Sequence, residues 1–163
     1  TANFPLIPNP LVLKNNLYHI NPAVQFTTPN FKINAGIRPT WDNDYFSLLP
    51  DLTAEAKLSD ANLFLEAGWT GMVQKNTWRS LATYNPWIGT LFNGLSNTRV
   101  REQYAGIKAA SGDHFSYQIR ASLLQLDNQP LFLNNTGDGK TFNVLFEIRM
   151  AVSTILRIKA FIP

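Results

Sequence analysis

Cysteine is absent from the 163 residues, which removes disulfide frameworks, thiolate metal sites and cysteine nucleophiles together. Histidine occurs only twice, as His19 and His114, and neither has a second His or a carboxylate at ligand spacing, so no zinc site is expected. Charge is scarce as well: 15% of residues are Asp, Glu, Lys or Arg, against 12% aromatics. That balance excludes a disordered, self-repelling chain and suits extensive apolar burial or exposure. Lys and Arg are scattered singly, so despite a net charge of +3 no nucleic-acid partner is expected. No apolar run is long enough for a transmembrane helix. A membrane β-barrel escapes that test, because half of each strand faces a polar lumen.

What is present is a period of two. Phe31, Ile33, Ala35 and Ile37 fall on one face, and Lys32, Asn34, Gly36 and Arg38 on the other. Leu52, Ala54, Ala56 and Leu58 oppose Thr53, Glu55 and Lys57. Leu63, Leu65, Ala67, Trp69, Gly71 and Val73 oppose Phe64, Glu66, Gly68, Thr70, Met72 and Gln74. Phe115, Tyr117, Ile119, Ala121 and Leu123 oppose Ser116, Gln118, Arg120 and Ser122, and Phe142, Val144, Phe146 and Ile148 oppose Asn143, Glu147 and Arg149. The alternation weakens from Ala151 to Ile155, which leaves the structure after Met150 open.

Short turn-like connectors at Thr27–Asn30, Ser59–Asn62 and Ser111–His114 alternate with longer stretches at Trp41–Pro50, Lys75–Asn97 and Asp127–Lys140. Zigzagging strands would gather the short turns at one rim and the long loops at the other, as outer-membrane barrels do. Each strand has about ten residues or more, enough to cross a bilayer at a tilt near 45°. The expected fold is all-β: an antiparallel up-and-down meander of about seven or eight long strands, forming a membrane β-barrel or part of one. Residues 1–163 read as one barrel segment, with 1–16 an N-terminal extension and strands from about 17 onward. Aromatics near the long loops (Trp41, Tyr45, Phe46, Trp78, Tyr84, Trp87) and near the short turns (Phe26, Phe31, Phe115, Tyr117) match two interfacial girdles.

Several constellations point weakly to chemistry. Asp42 and Asp44 hint at a calcium loop, but the required glycine and bidentate Glu do not follow. Gly137–Lys140 has the look of a phosphate-loop tail, yet strand residues follow it and a hairpin turn accounts for it better. Asp51 with Glu55, or Glu66 with Glu102, would be needed as an acid–base pair. Cross-strand ion pairs with Lys57, Arg101 and Lys108 explain those carboxylates more simply. A carbohydrate-active reading would use Trp78, Tyr84 and Trp87 as sugar platforms and needs a carboxylate pair beside them. The expectation is therefore no enzyme, no cofactor and no metal.

Seven stretches carry a family likeness: Tyr18–Pro22 (YHINP), Ala35–Asp44 (AGIRPTWDND), Leu48–Ala56 (LLPDLTAEA), Ala67–Thr77 (AGWTGMVQKNT), Tyr84–Trp87 (YNPW), Asn97–Lys108 (NTRVREQYAGIK) and His114–Tyr117 (HFSY). On these the chain resembles an internal barrel segment of Bacteroidota-type TonB-dependent receptor-like outer-membrane proteins, over about Tyr18 to Phe146. The resemblance implies residence in the bacterial outer membrane, solute uptake through a larger barrel, and contacts with outer-membrane lipid, the rest of the parent barrel and an energy-coupling inner-membrane protein. Neither a plug nor an energy-coupling box is identifiable, and the first residue is Thr1, so a processed or excised fragment is expected. Lys32, Arg38, Glu55, Lys57, Glu66, Gln118 and Arg120 are the candidate lumen-facing residues, and Trp41, Trp78, Tyr84 and Trp87 the candidate recognition residues of the loops. The competing reading is a soluble β-barrel that binds a small apolar ligand.

Overall fold

A computed structural model describes residues 15–59, 62–89, 94–111 and 115–160. They form eight strands: β1 (Leu17–His19), β2 (Ala23–Thr27), β3 (Phe31–Asp42), β4 (Tyr45–Ser59), β5 (Leu63–Gln74), β6 (Thr98–Ser111), β7 (Phe115–Asn134) and β8 (Phe142–Ala160). One short helix, α1 (Trp78–Tyr84), lies between β5 and β6. From β3 to β8 each strand pairs antiparallel with the next, while β1 and β2 share the free side of β3. The all-β meander expected from the alternation is therefore the fold, and its sheet is open rather than closed into a barrel.

Register assigns each side chain to a face, because in antiparallel pairs directly opposed residues project from the same side. One face carries transverse rows such as Phe31–Ala56–Leu65–Ile107–Ile119 and Ala35–Leu52–Trp69–Gln103–Leu123–Val152. The other carries Lys32–Glu55–Glu66–Gly106–Arg120 and Asn34–Thr53–Gly68–Tyr104–Ser122–Ser153. The apolar face is the exposed one: Ile37, Leu52, Leu65, Trp69, Ile107, Ile119 and Leu123 all lie open, and Val152 is 80% exposed. Among the described residues the buried hydrophobics are only Leu49, Leu81, Ile88 and Ala109. The sheet has no dry core of its own.

Two expectations about connections need correction, and the stretch after Met150, left open by the sequence, is settled. Trp41–Pro50 is not a long loop, since only Asn43 and Asp44 separate β3 from β4. Asn43 adopts φ 54°, the left-handed conformation that Asn tolerates in a two-residue hairpin, and its side chain accepts the Asn16 amide at 2.8 Å. Asp127–Lys140 is mostly strand as well. A register shift between Leu126 and Gln129, with Asn128 at φ 59°, takes up the extra residues as a bulge, and pairing with β8 resumes to Asn134. Finally, β8 runs unbroken through Ala151–Ile155, because the backbone ladder to β7 holds the strand where its own alternation fades.

The third long connector, Lys75–Asn97, contains α1. Thr77 caps the helix by accepting the Ser80 amide at 3.0 Å, and Ser80 returns the bond to the Thr77 amide at 2.9 Å. Leu81, 1% exposed, packs with Ile88 against Phe132, Val144 and Phe146 on the extended part of β7 and β8. This is the one apolar cluster with a buried centre among the described residues. Leu81→Ala is expected to lower the stability of that cluster by about 2–5 kcal/mol. Hydrogen exchange should rise at Asn85 and at the Gly89 and Phe142 amides that tie the turn to β8, and stay unchanged at the β3–β4 ladder.

Candidate functional site

The sheltered polar face gathers most of the charged side chains of β3 to β6, and its contacts run across strands. Lys108 on β6 pairs with Glu55 on β4, spanning β5, and its ammonium lies 5.4 Å from the Phe64 ring centre. Gln118 on β7 donates to Glu66 on β5 at 2.6 Å, spanning β6. Arg38 on β3 donates to the Gly71 carbonyl on β5 at 2.9 Å and to the Asn21 side chain at 3.2 Å, and lies 3.6 Å from Asp51. Arg120 holds Glu102 at 2.7 Å while its guanidinium carbon sits 3.4 Å from the Tyr104 ring centre.

Two glycines make this layer possible. A Cβ at Gly68 would lie 2.5 Å from the Tyr104 ring, so the ring fills the space a side chain would have taken and Arg120 stacks on it. At Gly106 a Cβ would meet the Ile119 carbonyl at 2.6 Å and a Glu66 carboxylate oxygen at 3.0 Å. Glu55 and Glu66 are directly opposed across β4 and β5, an arrangement that repels. Lys108 on the first and Gln118 on the second offset that cost, with Lys32 opposite Glu55 on β3.

All seven expected lumen-lining residues, Lys32, Arg38, Glu55, Lys57, Glu66, Gln118 and Arg120, thus share one face by register. Glu102 and Lys108, expected only as members of cross-strand ion pairs, join this face from β6, and the residues missed are Tyr104 beside them and Asn21 on the edge segment. Even-numbered alternation from Glu102 to Lys108 was the available signal. Of the proposed acid–base pairs, Asp51 meets Arg38 and Asn21, Glu55 meets Lys108, Glu66 meets Gln118 and Glu102 meets Arg120. Each carboxylate is held by a cation or an amide, so the cross-strand account of these groups fits the geometry. Arg101, in contrast, pairs with Asp127 at 2.7 Å and belongs by register to the other face.

The loop candidates separate. Trp41 is a strand residue, its ring tilted 50° against that of Phe46 with centroids 5.3 Å apart, and not a loop residue. Trp78 opens α1, Tyr84 ends it at 74% exposure, and Trp87 follows in the turn at 68%. At the same end, Asn97 and Asn76 are buried and hydrogen-bonded to one another. Asn97 accepts the Asn76 amide at 3.0 Å and donates to Asp42 at 2.7 Å, and Asn76 donates to the Ser96 carbonyl and the Thr98 hydroxyl. His19 is exposed on β1 opposite Thr40, and His114 lies outside the described residues. No group of three potential metal ligands occurs among the described residues.

Gly137–Lys140 is a turn between β7 and β8, with Gly139 at φ 63°. Asp138 accepts the Thr141 hydroxyl at 2.5 Å and the amides of Lys140 and Thr141 at 2.9 and 3.0 Å. The Thr141 hydroxyl first, then the two amides, hold the carboxyl below the ordinary aspartate range. With the folded value lowered, the turn's contribution is present above the unfolded pKa and is lost as pH falls through the folded one. A carboxyl NMR titration of Asp138 is expected to have its midpoint below that of an unperturbed aspartate, with Lys140 and Thr141 amide exchange accelerating over the same pH range. Asp138→Asn should remove that dependence.

Comparison with protein-family models, curated proteins and solved structures finds no match to this chain.

Proposed function

We propose that the chain is a stretch of wall from a bacterial outer-membrane β-barrel of the TonB-dependent receptor-like kind, with a non-catalytic role in solute uptake. The observation that carries the reading is the inverted exposure of the sheet: Leu, Ile, Trp and Val rows lie open while the charged rows are sheltered and paired. In water an apolar surface of that extent is a liability. Against hydrocarbon it is the expected outer face, and the polar side then lines a wet lumen.

Length supports the same reading. β3 to β8 have between 12 and 20 residues, more than the about 9–11 that a tilted membrane strand needs. Lipid offers no hydrogen bonds, so the edges along β1–β2 and β8, which have no partner strand among the described residues, require further strands in a membrane. The remainder of a parent barrel would supply them. Solute recognition would fall to the rim carrying α1, with Trp78, Tyr84 and Trp87, and energy would come from an inner-membrane partner. A soluble binder of a small apolar ligand fits less well, because the sheltered side offers ion pairs rather than an apolar pocket.

Production without detergent is expected to give aggregated chain, and refolding into detergent micelles to restore a β-rich spectrum. A monodisperse, detergent-free monomer with native strand content would overturn the proposal. Substitution should also be sensitive to face. Ala121→Arg, in the middle of the apolar side, is expected to cost about 2–4 kcal/mol in bilayers. Thr53→Lys on the polar side should stay within about 0.5 kcal/mol. Denaturant titrations from vesicles measure both.

A further inference from the structure

The ladder between β4 and β5 stops short of the strand ends and leaves an opening on the apolar face. Paired register ends at Asp51 and Thr70, although β4 begins at Tyr45 and β5 continues to Gln74. Pro50, the next residue of β4, brings no N–H to continue it. Leu49 fills part of the gap against Gly71, where a Cβ would lie 2.9 Å from the Leu49 Cβ. Arg38 takes the carbonyl of Gly71. What is left is a cleft of about 540 Å³ bordered by Ile37, Leu48, Leu52 and Trp69 and by two cations, Arg99 and Arg101.

These arginines are out of place by the logic of the rest of the sheet. Register puts them on the apolar side: Arg101 opposes Gly71 and Gln125, and Arg99 opposes Val73 and Asp127, in series with Gln103, Trp69 and Leu123. Both guanidiniums use the same carboxylate, Asp127, at 2.7 Å from Arg101 and 3.6 Å from Arg99, and Arg99 also donates to the Ser47 hydroxyl at 2.8 Å. One positive charge in the cleft is therefore uncompensated by these contacts. Depth matters too. Arg99 stands at the start of β6, twelve residues before Ser111, which is about 40 Å along a strand or about 28 Å of height at a 45° tilt. With the opposite turn at one interface, Arg99 reaches the level of the other, where phosphate groups lie.

We propose that this cleft is a lipid site, in which Arg99 and Arg101 take the phosphate of an anionic membrane lipid and an acyl chain lies along Ile37, Leu48, Leu52 and Trp69. The assignment rests on the barrel-wall reading above. Its chemistry is that of paired guanidiniums toward a phosphate, with excess positive charge offered next to hydrocarbon. A soluble anion would leave the apolar wall unused, and a neutral lipid would leave the charge unanswered.

Replacing Trp41, Trp78 and Trp87 with Phe leaves Trp69 as the only tryptophan. The full chain in phosphatidylcholine bilayers is then mixed with phosphatidylglycerol or phosphatidylcholine carrying brominated acyl chains, at equal mole fraction. Brominated phosphatidylglycerol is expected to quench Trp69 with an apparent preference of roughly fivefold. Arg99→Gln should reduce that preference, Arg99→Lys should keep most of it, and Arg99→Gln with Arg101→Gln should abolish it while quenching by brominated phosphatidylcholine is unchanged. That last signal also reports an intact sheet, and if the double variant loses strand content, Arg99→Gln decides, since Arg101 still holds Asp127. Equal quenching by both lipids would overturn the anionic site and leave the barrel-wall reading standing. Loss of the preference in excess inorganic phosphate at constant ionic strength would reassign the arginines to a soluble anion and overturn the lipid site. No quenching by either lipid would sink the barrel-wall reading, and the site with it.

Discussion

Backbone ladders running without a gap in strand order from β3 to β8 decide which side chains share a face, and the consequence reaches through the whole molecule. A shift of one residue anywhere would move Glu55, Glu66 or Arg120 among the Leu and Ile rows. Nothing like an ordinary core corrects such a slip, because the buried hydrophobics are few and two of them, Leu81 and Ile88, lie in the cluster under α1. Register is instead held by the polar layer. Lys108 reaching over β5 to Glu55, Gln118 reaching over β6 to Glu66, and Tyr104 resting on Gly68 beneath Arg120 each require their strands in one alignment. Half-buried pairs of this kind contribute little singly. Their value here is in specifying alignment, with the apolar face left for another phase to cover.

The two rims differ for physical reasons. At the rim bearing α1, strands of unequal length, a buried amide cluster around Asn76 and Asn97, and a capped helix packed on β7 and β8 build a substantial cap on the sheet. The opposite rim has short connections, as between β2 and β3, where Thr28 and Phe31 exchange backbone bonds. The ladder failure at Pro50 lies toward the capped rim, and Arg38, Leu49 and Arg99 converge on it from both sides. In the proposed barrel wall, charge on that face would be tolerable there because it would lie near an interface rather than in mid-membrane.

Much of this was legible in the residues. Alternation in Phe31–Arg38, Leu52–Leu58, Leu63–Gln74 and Phe115–Leu123 separates the same two faces as the register does, so Lys32, Arg38, Glu55, Lys57, Glu66, Gln118 and Arg120 fall on one side. The failures share a cause. Asn43, Asn128 and Pro130 are turn formers by chemistry, so their neighbourhoods were expected to be loops. One proved a two-residue hairpin and the others a bulge inside a continuing strand, since a left-handed Asn serves either geometry. In β8 the ladder to β7 supplied an order that the side chains of Ala151–Ile155 do not spell out. The helix was hidden by size: seven residues with a Thr77–Ser80 cap give too little periodicity to register inside a long polar connector.

The central claim is that hydrocarbon covers the Leu, Ile and Val side while water wets the Glu, Lys and Thr side. A chain without cysteine permits a direct reading: spin labels placed one at a time along β5 and β7 in bilayers, with collision rates measured for oxygen and for a water-soluble nickel chelate. Oxygen should dominate at Leu65, Ala67, Trp69, Ile119 and Leu123, and the chelate at Glu66, Thr70 and Gln118, alternating residue by residue. Chelate access at every position, or the opposite alternation, would contradict the account.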